Sequence, residues 1–107
     1  MSESSQNDKQ IPTYDKLLRE TARVSWAEIE RMFALGRVIE VAPALDLIEV
    51  AEAMAEDDKD TVRGWMQAQK LGHLADENAA RWASDDGLDL WAVVVSPWVL
   101  VQERTAE

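Results

Sequence analysis

The sequence contains no cysteine among its 107 residues. A disulfide framework, a thiolate metal site and a cysteine nucleophile are therefore excluded, and the composition is typical of a reducing compartment such as the cytoplasm. Glycine is scarce, with 4 residues, and no glycine-rich loop that could hold phosphate groups is present. The single histidine, His73, has no nucleophile motif beside it, so we interpret it as a surface or loop residue.

Basic residues are also few, because 11 Lys and Arg stand against 21 Asp and Glu, for a net charge of −10. A field of that sign disfavours contact with nucleic acids and anionic membranes. The longest apolar run, residues 90–101, is far shorter than the roughly 20 residues of a membrane-spanning helix. The first ten residues lack the basic and apolar regions of a signal peptide. We therefore expect an acidic cytoplasmic protein.

The composition nevertheless predicts a folded protein. Hydrophobic residues make up 47% of the chain and 5 of them are tryptophans, which a disordered chain would not contain. The start of the chain is rich in Ser, Gln, Asn and charged residues. We therefore predict a disordered tail over residues 1–12 and a single α+β domain over residues 13–107.

The C-terminal segment from Leu90 to Gln102 predicts a buried sheet around which the domain is organised. It is almost continuously β-branched and aromatic, and its lack of alternation indicates strands covered on both faces. Pro97 cannot donate a ladder hydrogen bond, so we expect two strands, about 90–95 and 98–102. They would be joined at Ser96 and Pro97 by a tight reversal or by a bulged corner.

Hydrophobic periodicity and capping residues predict the preceding elements. The first is a long amphipathic helix at about 14–35 ended by Gly36, and a strand at 37–41 that pairs with the C-terminal sheet follows it. A second helix begins after Ala44, with Asp46 at its start and Glu56, Asp57 and Asp58 at its end, and a third helix is capped by Asp58 or Asp60 and ended by Gly72. An extended link at His73 and Leu74 then leads to a fourth helix at about 77–84 capped by Asp76.

These elements predict an α+β fold in which three to four helices pack on a small antiparallel sheet. The order helix, strand, helix, helix, helix, strand, strand is also similar to a winged-helix arrangement. Any two short packed amphipathic helices would give the same pattern, so the plain α+β layer is the favoured interpretation and the winged helix remains the alternative.

The region from about residue 14 to residue 102 resembles a small bacterial family of unknown function, domain of unknown function 2288. The most specific part of the match lies in Leu90–Val95 and in Pro97–Gln102, with further matches at Glu20–Ala22 and at Leu45–Leu47. The resemblance implies a bacterial, cytoplasmic protein. It implies no catalytic or ligand-binding residues.

Two acidic groups could hold a metal ion or act in hydrolysis. Residues 56–60 contain four carboxylates, but they lack the alternating ligands, central glycine and distal glutamate of a calcium loop. Helix capping explains them better. Asp85, Asp86 and Asp89 could form a carboxylate pair, and a polar loop before a strand is the default interpretation. We therefore expect no metal and no cofactor.

The tryptophans at positions 26, 65, 82, 91 and 98 are the least ordinary feature of the sequence. Most are expected in the core, but aromatic side chains also dominate interface hot spots. The candidate interaction residues are Trp91, Trp98, Trp65, Asp57 and Asp58.

We expect a non-enzymatic protein-interaction module that binds an unidentified, basic protein partner or associates with itself, as a homodimer through the C-terminal sheet. One alternative is a winged-helix nucleic-acid-binding or regulatory protein, whose recognition helix would offer Lys59, Arg63 and Lys70. The adjacent aspartates argue against DNA or RNA as a ligand. Another alternative is a small carboxylate-dependent enzyme, but no constellation of catalytic residues in the sequence supports it.

Overall fold

The structure, a computed structural model, describes residues 13–85 and 87–104. The tail expected at residues 1–12 lies outside this part of the chain. The described residues form five helices and five strands. In chain order they are α1 (Thr13–Glu20), β1 (Ala22–Val24), α2 (Trp26–Ala34), β2 (Val38–Val41), α3 (Leu47–Ala55), α4 (Lys59–Gln67), β3 (Leu71–His73), α5 (Asp76–Ser84), β4 (Asp89–Val95) and β5 (Trp98–Arg104).

All five strands belong to one sheet, in the order β1-β4-β5-β2-β3. β4 and β5 form an antiparallel hairpin whose two connecting residues are Ser96 and Pro97, so the tight reversal is confirmed. β5 also pairs in parallel with β2, which confirms that the strand predicted at residues 37–41 joins the C-terminal sheet. The α+β class is confirmed, and the sheet is larger than expected and mixed rather than wholly antiparallel.

The sheet carries a hydrophobic core on each face. We call the face covered by α1, α3 and α4 the α3 face, and the face covered by α2 and α5 the α2 face. The buried residues of the α3 face are Leu17, Ile39, Val41, Leu47, Ile48, Val50, Ala51, Leu71, Val93 and Leu100. Those of the α2 face are Ile29, Val38, Leu74, Ala79, Trp82, Leu90, Ala92, Val99 and Val101. Helices on both sides explain why the C-terminal strands show no simple alternation.

Val94 is an exception to this two-sided burial. Its side chain is 56% exposed, near the hairpin turn. β1 pairs with β4 only from Leu90 to Ala92, so the sheet narrows beyond that point. The prediction that Val94 is buried is wrong because the end of the hairpin extends past the covered part of the sheet, whereas Leu100 in the centre is fully buried.

The long helix predicted at residues 14–35 is wrong, since β1 interrupts it. Ala22, Arg23 and Val24 pair with β4 in an antiparallel register, and the Arg23 guanidinium lies 2.8 Å from Asp89. This pairing overrides a helical pattern that continues on both sides of it. α2 then starts with a new cap, in which the backbone N–H of Ser25 donates to Glu28 Oε1 at 2.7 Å.

Three helices end at a residue with left-handed backbone conformation: Gly36 after α2 (φ 73°), Asp57 after α3 (φ 59°) and Gln69 after α4 (φ 62°). The prediction for Gly36 is confirmed. The prediction that Gly72 ends α4 is wrong, because Gln69 takes that position and Gly72 lies within β3. The Lys70 N–H donates to the Trp65 carbonyl at 2.9 Å, which closes a Schellman-type end of α4.

The remaining helix starts follow local chemistry. Asp46 Oδ1 accepts from Ile48 N and Glu49 N at the start of α3, and Asp58 caps α4, as predicted. Asp76 is the first residue of α5 rather than its cap, which is Ala75. The α3 and α4 pair followed by the hairpin keeps the winged-helix-like order, with β1 and β3 added at the two sheet edges.

Candidate functional site

An open groove on the α3 face lies between α4, the end of α3 and the turn of the β4–β5 hairpin. Its volume is about 410 Å³. We call it the hairpin groove. Its apolar lining comes from Ala53, Met54, Val62, Met66, Val95 and Trp98, and its polar lining from Asp57, Asp58, Lys59, Arg63 and Ser96. The groove therefore combines an apolar floor with a rim of both charge signs.

The acidic turn of the rim is built by helix ends. Asp57 occupies the left-handed position after α3, a conformation that aspartate tolerates better than most residues. Asp58 Oδ2 accepts a hydrogen bond from the Thr61 hydroxyl at 2.8 Å and its Oδ1 lies 3.4 Å from Thr61 N. Helix capping thus explains the presence of Asp58, as the sequence predicted, and the same turn places both carboxylates at the groove.

The ion pairs of the rim are long and exposed. Lys59 Nζ lies 3.9 Å from Asp57 Oδ2, and Arg63 Nη1 lies 3.4 Å from Asp60 Oδ1. Exposed pairs of this kind contribute at most about 1 kcal/mol. These side chains can therefore exchange their partners at little cost in folding stability.

Trp98 forms part of the groove floor and also contacts β3. Its ring packs edge-on against the His73 ring, with centroids 5.6 Å apart. His73 itself is exposed, as expected. Trp65 packs against the buried core of the α3 face and does not line the groove.

Trp91 lies outside the groove, toward the opposite end of β4. The Arg104 guanidinium stacks over its ring at 4.8 Å, and Arg104 Nε donates to Gln102 Oε1 at 3.2 Å. Of the five candidate interaction residues, the structure therefore brings three together, Asp57, Asp58 and Trp98. Trp65 is partly buried and packs against the core beside them, and Trp91 is separate.

Met66 and Val95 line the groove but were not among the sequence candidates, and Arg63 was considered only for the nucleic-acid alternative. Met66 is 50% exposed, four residues after Val62 on the same face of α4. That spacing was visible in the sequence, yet it indicated only a core position. Whether Met66 borders an open groove depends on the position of the hairpin turn, and the spacing of residues in α4 does not encode that position.

A row of carboxylates continues from the groove along the outer side of α3. We call it the acidic ridge, and its members are Asp46, Glu49, Glu52 and Glu56. None of the four forms a salt bridge with a cation within residues 13–85 and 87–104. The Tyr14 hydroxyl donates to Asp46 Oδ2 at 2.7 Å, and this hydrogen bond to a carboxylate is the main cause of the raised pKa of Tyr14.

The other acidic residues considered from the sequence serve structural contacts. Asp85 Oδ1 accepts from Gly87 N at 2.9 Å, and Asp89 pairs with Arg23; Asp86 lies outside the described residues. No group of three or more His, Cys, Asp or Glu side chains in the described part of the chain could hold a metal ion. Within the same residues no helix is long and apolar enough to cross a bilayer.

Comparison with known proteins adds two similarities. Residues 12–103 match the family DUF2288, which is described as proteins of unknown function. The chain is also similar to PA1075 from Pseudomonas aeruginosa, known from an NMR solution structure, with 47% sequence identity, a TM-score of 0.76 and coverage of 88% of this chain and 86% of that one. No curated protein matches. The resemblance noted in the sequence is therefore confirmed: the chain belongs to the DUF2288 family of proteins of unknown function.

Proposed function

We propose that this protein is a non-enzymatic interaction module that binds a basic, partly apolar segment of another protein in the hairpin groove. The observation that carries the proposal is the juxtaposition of Trp98 and the half-exposed Met66 with the carboxylates of Asp57 and Asp58. Aromatic and methionine side chains are enriched in protein interfaces, and an apolar floor beside a charged rim is the usual anatomy of such a site.

Charge complementarity supports a basic partner. The chain has a net charge of −10, and the acidic ridge leads into the groove. Within the described residues its carboxylates have no cationic partners, whereas Lys59 and Arg63 are already balanced by Asp57 and Asp60. A field of this sign accelerates the approach of a basic segment, while the groove floor supplies the apolar contact.

The groove carboxylates already make structural contacts, which argues against a catalytic role for them. Asp58 caps α4, and Asp57 lies beside Lys59. Within residues 13–85 and 87–104, neither carboxylate hydrogen-bonds a histidine or a hydroxyl nucleophile that it could activate, apart from the capping contact of Asp58 with Thr61. We place the protein in the cytoplasm, because a chain without cysteine suits a reducing compartment.

Paired charge insertions test the groove. Met66→Glu introduces a charge into the groove, and Leu35→Glu introduces the same charge at a residue of similar exposure, 55% against 50%, that does not line it. Proteins bound from a native lysate are compared for the full-length wild type and both variants. We expect a protein that binds wild type and Leu35→Glu, and at least tenfold less of it on Met66→Glu.

The identified protein is then added to the labelled chain. Its binding should shift the indole N–H signal of Trp98 in an NMR spectrum more than that of Trp82, which is buried on the α2 face. Equal capture by all three chains, or shifts that cluster away from the groove, would contradict the proposal.

Substitutions of Asp57 separate the effect of its carboxylate charge on binding from the effect of its backbone conformation on stability. Asp57→Gly relieves the left-handed conformation and should slightly stabilise the fold while removing a rim carboxylate. Asp57→Asn keeps a residue that tolerates the conformation and also removes the charge. Both should bind the basic partner more weakly although neither loses stability. Salt-sensitive retention of duplex DNA in a gel shift would instead favour the nucleic-acid alternative.

A further inference from the structure

β3 is an edge strand of the sheet and contains no Asp, Glu, Lys or Arg. Its residues are Leu71, Gly72 and His73, and among the strands of the described residues it is hydrogen-bonded only to β2. A cavity of about 620 Å³ borders all three residues. An open edge of this kind is a template for pairing with another strand.

Two hydrogen bonds establish which backbone groups point outward. The Leu74 N–H donates to the Val38 carbonyl at 3.1 Å, and the Ala42 N–H donates to the Lys70 carbonyl at 2.9 Å. In an antiparallel ladder every second residue points toward the neighbouring strand. Residues 70, 72 and 74 therefore point toward β2, and the N–H and C=O groups of Leu71 and His73 point away from the sheet.

We infer that two copies of the chain associate through β3, antiparallel about a two-fold axis at Gly72. This register places Leu71 opposite His73 of the partner subunit, so the outward N–H and C=O groups of both residues form hydrogen bonds across the interface. Four backbone hydrogen bonds then form and join the two sheets. The pair on the axis, Gly72 with the partner's Gly72, is the close type of pair with Cα atoms about 4.5 Å apart, and a glycine there leaves the approach free of side chains.

Charge complementarity at the flanks favours a second copy as the occupant. Leu74 packs on the α2 face, and by the same alternation the Lys70 side chain lies on that face. In the two-fold register Lys70 comes opposite the partner's Leu74, close to the partner's Asp76 at the start of its α5. Neither Lys70 nor Asp76 forms a salt bridge within residues 13–85 and 87–104, so two intersubunit pairs become available.

The interface is small, and its strength should depend on salt. A strand of three residues buries little area, which is typical of weak association. Two chains of net charge −10 also repel each other, and salt screens that repulsion beyond a Debye length of about 8 Å. Met66, half-exposed and lining the same cavity, adds apolar contact beside the strands.

Sedimentation velocity on the full-length chain tests this inference, from about 5 to about 500 micromolar, a range suited to weak interfaces. The wild type should shift with concentration from the 12.1 kDa monomer toward twice that mass, more strongly at higher salt. His73→Pro removes an outward N–H that β2 does not use, so it should stay monomeric and folded. His73→Ala loses the same ring but keeps the N–H, and it should associate like the wild type.

A charge exchange tests the register without changing the backbone. Lys70→Glu should reduce the apparent association constant about three- to tenfold relative to Lys59→Glu, which makes the same change in net charge away from β3. Adding Asp76→Lys to Lys70→Glu should restore the association of the wild type, which has the same net charge as the double variant. Amide hydrogen exchange at Leu71 and His73 should slow as the protein concentration rises.

A single 12.1 kDa species at every concentration would overturn the inference, as would association of His73→Pro and Lys70→Glu equal to that of the wild type. If the edge instead binds an extended peptide from a different protein, the chain stays monomeric alone. The two proposals remain separable through Asp57→Asn, because Asp57 lines the hairpin groove but not the cavity beside β3. This variant should weaken capture of the basic partner without weakening self-association.

Discussion

The side-chain amide of Gln102 donates to the carbonyl oxygen of Leu45 at 2.6 Å. The same nitrogen donates to the Ala42 carbonyl at 2.9 Å. Gln102 is only 3% exposed and lies on the central strand β5, so its amide fixes the loop between β2 and α3 to the middle of the sheet. That loop sets the start of α3 and hence the direction of the acidic ridge.

Gln102→Leu should therefore destabilise the protein by about 1–3 kcal/mol, because two part-buried carbonyls lose their donor while the volume is nearly retained. Gln102→Glu should cost more, since a carboxylate would face the two carbonyl oxygens. Urea denaturation followed by tryptophan fluorescence measures both. Unfolding midpoints equal to that of the wild type would show that water replaces the amide.

Aspartate substitutions in the C-terminal hairpin should have opposite outcomes at Val94 and Leu100. Val94 is 56% exposed, so Val94→Asp should cost less than about 1 kcal/mol. Leu100 is fully buried, and an unpaired charge there costs several kcal/mol, comparable to the whole stability of a small domain. Circular dichroism should show a folded Val94→Asp and an unfolded or insoluble Leu100→Asp.

Gly64→Ala should stabilise α4. Gly64 lies in the helix interior, and an added Cβ would meet no atom within 4 Å. The expected gain is about 0.5–1 kcal/mol, because alanine loses less backbone entropy in a helix. The melting temperature should therefore rise by several degrees. Gly36→Ala is the matched control, since its φ of 73° disfavours a Cβ, and it should lower the melting temperature.

The ion pair of Arg81 and Glu103 should make stability depend on acid pH. Arg81 Nη2 lies 2.7 Å from Glu103 Oε1, and Trp82 Nε1 donates to the same oxygen at 3.1 Å. The Arg81 hydrogen bond is the main cause that lowers the pKa of Glu103 below its ordinary value of 4.5. A lowered folded-state pKa gives stability that is present above 4.5 and is lost as the pH falls through the folded-state pKa.

Comparison with Glu103→Gln isolates this contribution from the other carboxylates. At pH 7 the wild type should be more stable than Glu103→Gln, and the difference in unfolding free energy should shrink as the pH falls below 4.5. A difference that stays constant over that range would show that the carboxylate charge is unimportant for the contact.

Local sequence patterns determined much of the framework. The β-branched run with Pro97 at its centre predicts the hairpin, because a proline inside it leaves two strands and a short connection. Asp46 and Asp58 mark helix starts because their carboxylates satisfy free N–H groups within three residues. These features depend on neighbours in sequence, so they can be predicted without knowing the fold.

Only the tertiary structure decided the features that depend on distant pairing. Residues 22–24 fit a helical pattern, and they form a strand because β4 offers hydrogen-bonding partners about 70 residues further on. The position of β5 between β4 and β2 likewise removes the exposed edge on which dimerisation through the C-terminal sheet was expected. That leaves β3 as an edge strand without Asp, Glu, Lys or Arg.

The candidate site likewise combines residues that the sequence singled out with an arrangement that only the tertiary structure decided. The sequence singled out Asp57, Asp58 and Trp98 by residue type alone, from charge and aromatic character. Their meeting in one groove depends on the packing of α4 against the sheet beside the hairpin turn. Contacts between segments some 40 residues apart arise from burial of both helix and hairpin against a common core, and no local pattern encodes that geometry.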